Sequence, residues 1–309
     1  MSAYVDMIRS YEASWDTAKA IEYTGEHTEI PVFAISMYLL IVFYVPEHIK
    51  TGWPLRSLWA YWNLLLSIFS IMGACRCVPY LVSNLLEHGF TYTTCHDSTK
   101  WFLRHDEPNP VGFWVTLFIY SKIPELIDTV FLVLQKKPVI FLHWFHHVTV
   151  LLYCWHAFAN WTASGLWFVS MNFTVHSIMY FYYFLAIAGY KSLAKPMAPL
   201  ITTIQLVQMI VGSVVMINVW NVKKDGGECF VIPANYKLGL AMYLSYFFLF
   251  AVLFYNLYLK EGGKHAKGAK KGGKKGGEDS ETLCGVDMKK GDAAGFFHTQ
   301  SDKEKMKKN

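Results

Sequence analysis

Formal charge is scarce in this chain: Asp, Glu, Lys and Arg supply 17% of its 309 residues, whereas 53% are hydrophobic and 17% aromatic. With a positive mean hydropathy, that shortage excludes an ordinary soluble domain, and the apolar residues are too interrupted for one continuous core. The first 28 residues contain no apolar run, so no cleavable signal peptide is expected and the first spanning segment is expected to act as a signal-anchor. No internal repeat of the kind that builds many transporters is visible, and there is no extracellular module.

The basic residues are concentrated at one end. Thirteen lysines fall between Lys260 and Lys308, out of 28 basic residues in all. A basic tail can hold nucleic acid, but behind a membrane domain it more commonly meets solvent or anionic lipid, so no nucleic-acid partner is expected. Residues 260–277 are a Lys/Gly repeat that cannot form a core, and residues 260–309 are expected to be disordered. Lys305 and Lys307, fifth and third from the end, resemble a dilysine retrieval signal for the endoplasmic reticulum, which is a receptor-read address rather than an anchor.

A spanning helix needs about 20 mostly apolar residues. Seven segments qualify, at roughly 30–45, 57–86, 112–134, 140–158, 164–188, 198–221 and 236–259. The second holds Arg76 and Pro79, where a kink or break is expected. Residues 1–28 form a separate N-terminal segment, expected to be a surface amphipathic helix with Tyr11 and Trp15 at the interface. Residues 29–259 form the membrane domain.

Seven spans put the termini on opposite sides, and the lysine-rich tail assigns the C-terminus to the cytosol and the N-terminus to the lumen. Cys95 and Cys229 then share the lumenal side, where disulfides persist; they are either bridged or free thiols. The other four cysteines, Cys75, Cys77, Cys154 and Cys284, are expected to be free. Asn160-Trp161-Thr162 is a glycosylation sequon on the same side, on a loop so short that its use is not expected.

His143, His146 and His147 form an HxxHH box inside the fourth span, and on a helix that spacing places three rings on one face. Ionisable groups in hydrocarbon must face a protein interior, which makes them functional candidates. Such a box is either a metal cage or a centre of nucleophilic and acid/base chemistry. The third span carries Lys122, Glu125, Asp128 and Thr129 along one expected stripe. This stripe is either an internal ion-pair network or a set of carboxylates that orient the histidines. The fifth span places Asn172, His176, Met179 and Tyr183 on one face, with Tyr180 adjacent. The sixth contributes Thr202, Gln205 and Gln208, which are interhelical glue or donors to a polar substrate. Arg76 is a phosphate partner or an internal counter-ion. The common reading is a bundle with a polar centre, and its abundant Phe, Tyr and Leu could line a passage for an apolar chain.

Four motifs in order resemble the ELO/ELOVL family of very-long-chain fatty acid elongases. Lys122-xx-Glu125-xx-Asp128-Thr129 is similar to that family's KxxExxDT. His143-xx-His146-His147 matches its histidine box, His176-xx-Met179-Tyr180-x-Tyr182-Tyr183 its HxxMYxYY region, and Thr202-xx-Gln205-xx-Gln208 its TxxQxxQ. The resemblance covers roughly residues 30–260. It implies an all-α integral membrane protein of the endoplasmic reticulum, with seven transmembrane helices, six of them forming a closed barrel around an acyl tunnel. The implied reaction condenses acyl-CoA with malonyl-CoA, giving 3-oxoacyl-CoA, carbon dioxide and CoA, with no bound cofactor and no metal. By motif position His146 carries the acyl group and His176 partners it. His143 and His147 take orienting and acid/base roles, Glu125 and Asp128 control tautomers, and Lys122 offsets negative charge. Asn172, Tyr180, Tyr183, Thr202, Gln205, Gln208 and Arg76 are the substrate-binding candidates. The box and Gly165-Leu166-Trp167-Phe168 look most like the branch that elongates saturated and monounsaturated chains. The expected partners are membrane lipid and the ketoreductase, dehydratase and enoyl reductase of the elongation cycle; a homodimer is left open.

Two other classes remain. A membrane di-iron desaturase or hydroxylase also uses HxxHH, but such a cage needs roughly eight imidazoles. Of twelve histidines only His143, His146, His147, His156 and His176 lie in the spans. A non-enzymatic seven-span transporter or receptor could use the same residues as a proton relay.

Overall fold

The computed structural model describes residues 6–7, 10–12, 14–102, 110–259, 282–283 and 286–287. Lys305, Lys307 and nearly all of the basic tail lie outside the described residues, apart from a short antiparallel pairing of Thr282–Leu283 with Val286–Asp287. The rest is helical: α1 Thr17–Glu26, α2 Glu29–Phe43, α3 Arg56–His88, α4 Phe90–Cys95, α5 Pro110–Ser121, α6 Ile127–Leu134, α7 Phe141–Ala159, α8 Gly165–Ala188, α9 Met197–Lys224 and α10 Pro233–Phe254.

Among the described residues, four helical segments are long and apolar enough to cross a membrane: Glu29–His48, Arg56–His88, Met197–Lys224 and Pro233–Leu259. They carry exposed Val32, Phe33, Leu40, Leu65, Ile210, Val214, Leu244 and Phe248, an apolar exterior that water would not tolerate. The architecture is that of a multi-pass membrane protein. Other segments are diluted by polar side chains: α7 carries the histidine box, and α8 carries Asn172, His176 and three tyrosines.

The second expected span is not broken. Helix α3 runs unbroken through Pro79. The segment expected at 112–134 does break. Helix α5 stops at Ser121, a 3-10 turn covers Pro124–Leu126, and α6 restarts at Ile127. Pro124 has no N–H to continue the ladder. Bonds of the tighter i to i−3 type, such as Ile123 N to Tyr120 O at 3.2 Å, carry the chain across. Lys122 and Glu125 therefore sit on a break rather than on one continuous stripe.

The most extensive helix pairing is α3 against α8. Gly73 makes it close: a Cβ there would overlap the ring of Phe173, one of the most deeply buried side chains. Gly73→Ala is expected to destabilise by about 1–3 kcal/mol through overpacking; a thermal midpoint in detergent equal to that of the parent would contradict this. Further contacts join α8 to α9, α9 to α10, α10 to α7, α7 to α5 and α5 to α3, while α2 packs on α6 and α7.

Among the described residues of the N-terminal segment, Tyr11 and Trp15 are exposed, while the face of α1 that carries Ala20 and Ile21 is used inside the protein. Helix α1 packs on α7 and α5, burying Ala20 and Ile21. Trp155 donates its Nε1–H to Thr24 O at 2.8 Å. Ahead of it, buried Glu12 accepts from Trp114 Nε1 at 2.7 Å and Arg76 Nε at 3.0 Å. Cys95 and Cys229 are joined by a disulfide, and Cys75, Cys77 and Cys154 are free.

Candidate functional site

The break between α5 and α6 and the polar faces of α7 and α8 meet around one buried ion pair. Lys122 and Glu125 are 2% and 5% exposed, so neither charge is solvated. Lys122 Nζ donates to both carboxylate oxygens of Glu125, at 2.8 and 2.9 Å, and lies 4.0 Å from the centroid of the Phe118 ring. Ser121 donates a further hydrogen bond to Glu125 at 2.8 Å. A buried charge pair offsets its desolvation only when its remaining donors and acceptors are also engaged.

The third contact of Lys122 sets a tautomer. Lys122 Nζ reaches Asn172 Oδ1 at 3.3 Å. An ammonium can only donate, so the amide oxygen must face it, and the amide nitrogen must face the other way. That nitrogen lies 3.0 Å from His176 Nε2. Nε2 therefore accepts, and the ring proton of neutral His176 is on Nδ1.

His143 is held differently. Its Nε2 lies 2.8 Å from Thr129 Oγ1, and Tyr38 OH lies 3.0 Å from the same hydroxyl. Glu125 and Asp128, expected to control the histidine tautomers, make no described hydrogen bond to a histidine. Asp128 accepts from Trp62 Nε1 at 2.6 Å and from Tyr180 OH at 2.8 Å, and Glu125 belongs to Lys122 and Ser121. The break at Pro124 accounts for this, because it changes the register between the residues before and after it. Thr129→Val, nearly isosteric, is expected to leave Tyr38 and His143 without their partner, at ~1–3 kcal/mol of stability. Thr129→Ser should restore it; equal thermal midpoints for Val and Ser would contradict the role.

His146 is positioned by rings rather than by described hydrogen bonds. Its ring centroid lies 5.0 Å from that of Tyr246 and 5.7 Å from that of His147. His147 lies 4.6 Å from His143 and 6.0 Å from Tyr38 by the same measure. Among the described residues no three His, Cys, Asp or Glu side chains are grouped to hold a metal ion.

Two cavities meet at His146. One is lined by His143, His146, His147, Asn172, His176, Asp128, Tyr180, Tyr183, Gln205 and Gln208, and reaches Pro138, Leu142, Phe250 and Leu253. The other runs the opposite way along α7 past Val150, Tyr153, Cys154, Ala157 and Phe158, and its walls are mainly apolar, with Thr162, Tyr243 and Tyr246 among them. His146, Asn172, Gln208 and Met209 border both. One arm thus starts from a polar, histidine-rich chamber, and the other suits an apolar chain.

Four of the sequence candidates do not line these cavities: Lys122 and Glu125, held in their ion pair, and Arg76 and Thr202. Arg76 pairs with Glu12, the counter-ion alternative, and Thr202 donates back to Ala198 O at 3.2 Å within its own helix. Gln205 Nε2 rests on Met179 Sδ at 3.4 Å. Sequence reasoning missed Tyr38, Trp62 and Tyr246, whose hydroxyl or indole tips sit in otherwise apolar runs and give no periodic signal. The histidine box itself was visible from its spacing.

Residues 23–266 match the family described as ELO, GNS1/SUR4. The chain is 42% identical to "Fatty acid elongase 3" of Trypanosoma cruzi (strain CL Brener) over 283 residues, covering 83% of this chain and 93% of that one. It is 45% identical to "Fatty acid elongase 3" of Trypanosoma brucei brucei over 269 residues, 79% of this chain and 88% of that protein. "Very long chain fatty acid elongase 4" of Trypanosoma cruzi is 48% identical over 240 residues, 76% of this chain and 82% of its own length.

Proposed function

The chain belongs to the ELO, or GNS1/SUR4, family, and on that premise we propose that it is a fatty acid elongase that joins an acyl-CoA to malonyl-CoA, in the manner of a very-long-chain 3-oxoacyl-CoA synthase. The observation that carries this reading is the place of His146, where a histidine-rich chamber meets a second arm with mainly apolar walls. A condensing enzyme needs that junction: the thioester end of the substrate must meet reactive groups while its hydrocarbon is kept from water.

A nitrogen of neutral His146 attacks the thioester carbon, the C–S bond breaks, and CoA leaves as its thiol once protonated. The acyl-imidazole so formed is an activated acyl donor. Malonyl-CoA then loses carbon dioxide, and the electron pair of the broken C–C bond becomes an enolate, so no strong base is needed. The enolate attacks the acyl carbon, releasing His146 and a 3-oxoacyl-CoA two carbons longer. His176, with its proton on Nδ1, is a donor for the developing oxyanion. Lys122 supplies positive charge nearby. Gln205 and Gln208, with Tyr180 and Tyr183, line the chamber that receives the CoA ends. Apolar walls protect the acyl-imidazole from hydrolysis.

The broader architecture follows the same reading. Seven spans are proposed, six of them closing a barrel. The cyclic contacts α3–α8–α9–α10–α7–α5–α3 support it, as does the position of α2 outside that cycle. The endoplasmic reticulum membrane, a lumenal N-terminus and a cytosolic C-terminus are proposed from the basic tail and the disulfide. Long saturated or monounsaturated acyl-CoAs are the proposed substrates, and the ketoreductase, dehydratase and enoyl reductase of the cycle the proposed co-workers.

The test is direct. Membranes holding the full chain are incubated with long-chain acyl-CoA and carbon-labelled malonyl-CoA, without reducing cofactor. Label should accumulate in a 3-oxo product two carbons longer, dependent on the expressed chain. Absence of label with every acyl-CoA tried, from protein that is folded and membrane-inserted, would overturn the proposal.

A further inference from the structure

The mainly apolar arm follows one face of α7 and one of α8. From α7 it takes His146, Val150, Tyr153, Cys154, Ala157 and Phe158, which lie on one helical face. At 1.5 Å per residue, His146 to Phe158 spans roughly 18 Å. From α8 it takes Asn172, Val169, Phe168 and Gly165, again one face, running antiparallel to α7. Asn172 therefore stands level with the histidines, and Gly165 stands at the far end.

Gly165 differs from the close-packed glycines of the bundle. At Gly73 a Cβ would strike Phe173, whereas at Gly165 a Cβ meets nothing within 4 Å. Its backbone φ is not among the positive ones, so a larger residue is not strained there. Because Gly165 shares a face with Phe168 and Asn172, a side chain at this position would point into the arm.

The end of the arm is also fixed in place. Gly165 N bonds Thr162 O at 3.0 Å, Ala163 N bonds Phe230 O at 3.1 Å, and Phe230 N bonds Cys95 O at 2.9 Å. The Cys95–Cys229 disulfide joins the last two strands of that clasp. Buried Ala163 packs with both cysteines, Val219 and Val231.

On the elongase reading, we infer that Gly165 is the length-setting residue of this enzyme. Its missing side chain leaves the space that receives the methyl end of the acyl chain, over a floor held by the disulfide-clasped segment 161–165. With C–C bonds of ~1.5 Å in a zigzag, each carbon advances about 1.3 Å, so the α7 face from His146 to Phe158 matches the length of roughly 14 carbons. The ligand class is a long, unbranched acyl chain whose end needs no polar partner.

The experiment compares the full-length parent, Gly165→Ala and Gly165→Leu in membranes, using labelled malonyl-CoA and a ladder of saturated acyl-CoAs. The longest acyl-CoA that the parent elongates should lose about tenfold or more with Leu, as expected when several methylenes no longer fit. Acyl-CoAs two to four carbons shorter should keep the parental rate, to within roughly twofold on the same scale. Ala should give a smaller shift in the same direction. An unchanged length profile, or an equal loss at every length, would overturn the assignment of Gly165 while leaving the elongase reading intact. If the parent elongates nothing, the elongase reading fails and this inference falls with it.

Discussion

His146→Ala should cut incorporation of labelled malonyl-CoA about a thousandfold or more. Losing a covalent nucleophile removes the step on which the other groups act, and such losses far exceed those of orienting residues. Binding should survive, because the apolar arm and the CoA chamber are lined mainly by other residues. Acyl-CoA should therefore still raise the thermal midpoint of the variant, as any ligand of the native state does. Turnover within tenfold of the parent would contradict the assignment of His146. Loss of both turnover and the ligand-induced shift would instead mean that His146 mainly shapes the pocket.

The second large effect comes from Lys122. Removing it as Lys122→Met strands the Glu125 carboxylate in the interior, at about 3–5 kcal/mol for a broken buried pair. Thermal denaturation in detergent should show this as a pronounced drop in midpoint. The double variant Lys122→Met/Glu125→Leu removes the stranded charge and should recover most of that stability. It should not recover turnover. Without an ammonium on Asn172 Oδ1 the amide is free to reverse, and His176 loses its single tautomer. A double variant as active as the parent would show that the pair serves folding alone.

The histidine box and the polar face of α8 were legible in the sequence, because both lie on uninterrupted helices where spacing alone determines which residues share a face. The stripe from Lys122 to Thr129 was legible only in composition. Its spacing implied one helix, but Pro124 and the 3-10 turn separate Lys122 and Glu125 from Asp128 and Thr129. The carboxylates bond Lys122, Trp62 and Tyr180, and a threonine hydroxyl meets His143 in their place. Long-range partners left no local signal. Tyr38 reaches Thr129 from 91 positions away, and Arg76 finds Glu12 across 64. The continuity of α3 through Pro79, where a break was one of the two expectations, has a related reason. Proline removes one backbone donor, and a helix packed along its length against α8 tolerates that loss.

The central claim is that His146 itself carries the acyl group between the two half-reactions. The measurement that tests it most directly uses purified full-length protein, incubated with a long-chain acyl-CoA and no malonyl-CoA, then read by intact mass and peptide mapping. The account predicts a mass increase equal to one acyl group, located on the peptide containing His146, absent from His146→Ala and discharged when malonyl-CoA is added. An unmodified protein that still converts acyl-CoA at full rate once malonyl-CoA is present, or an acyl group mapped to another residue, would contradict it.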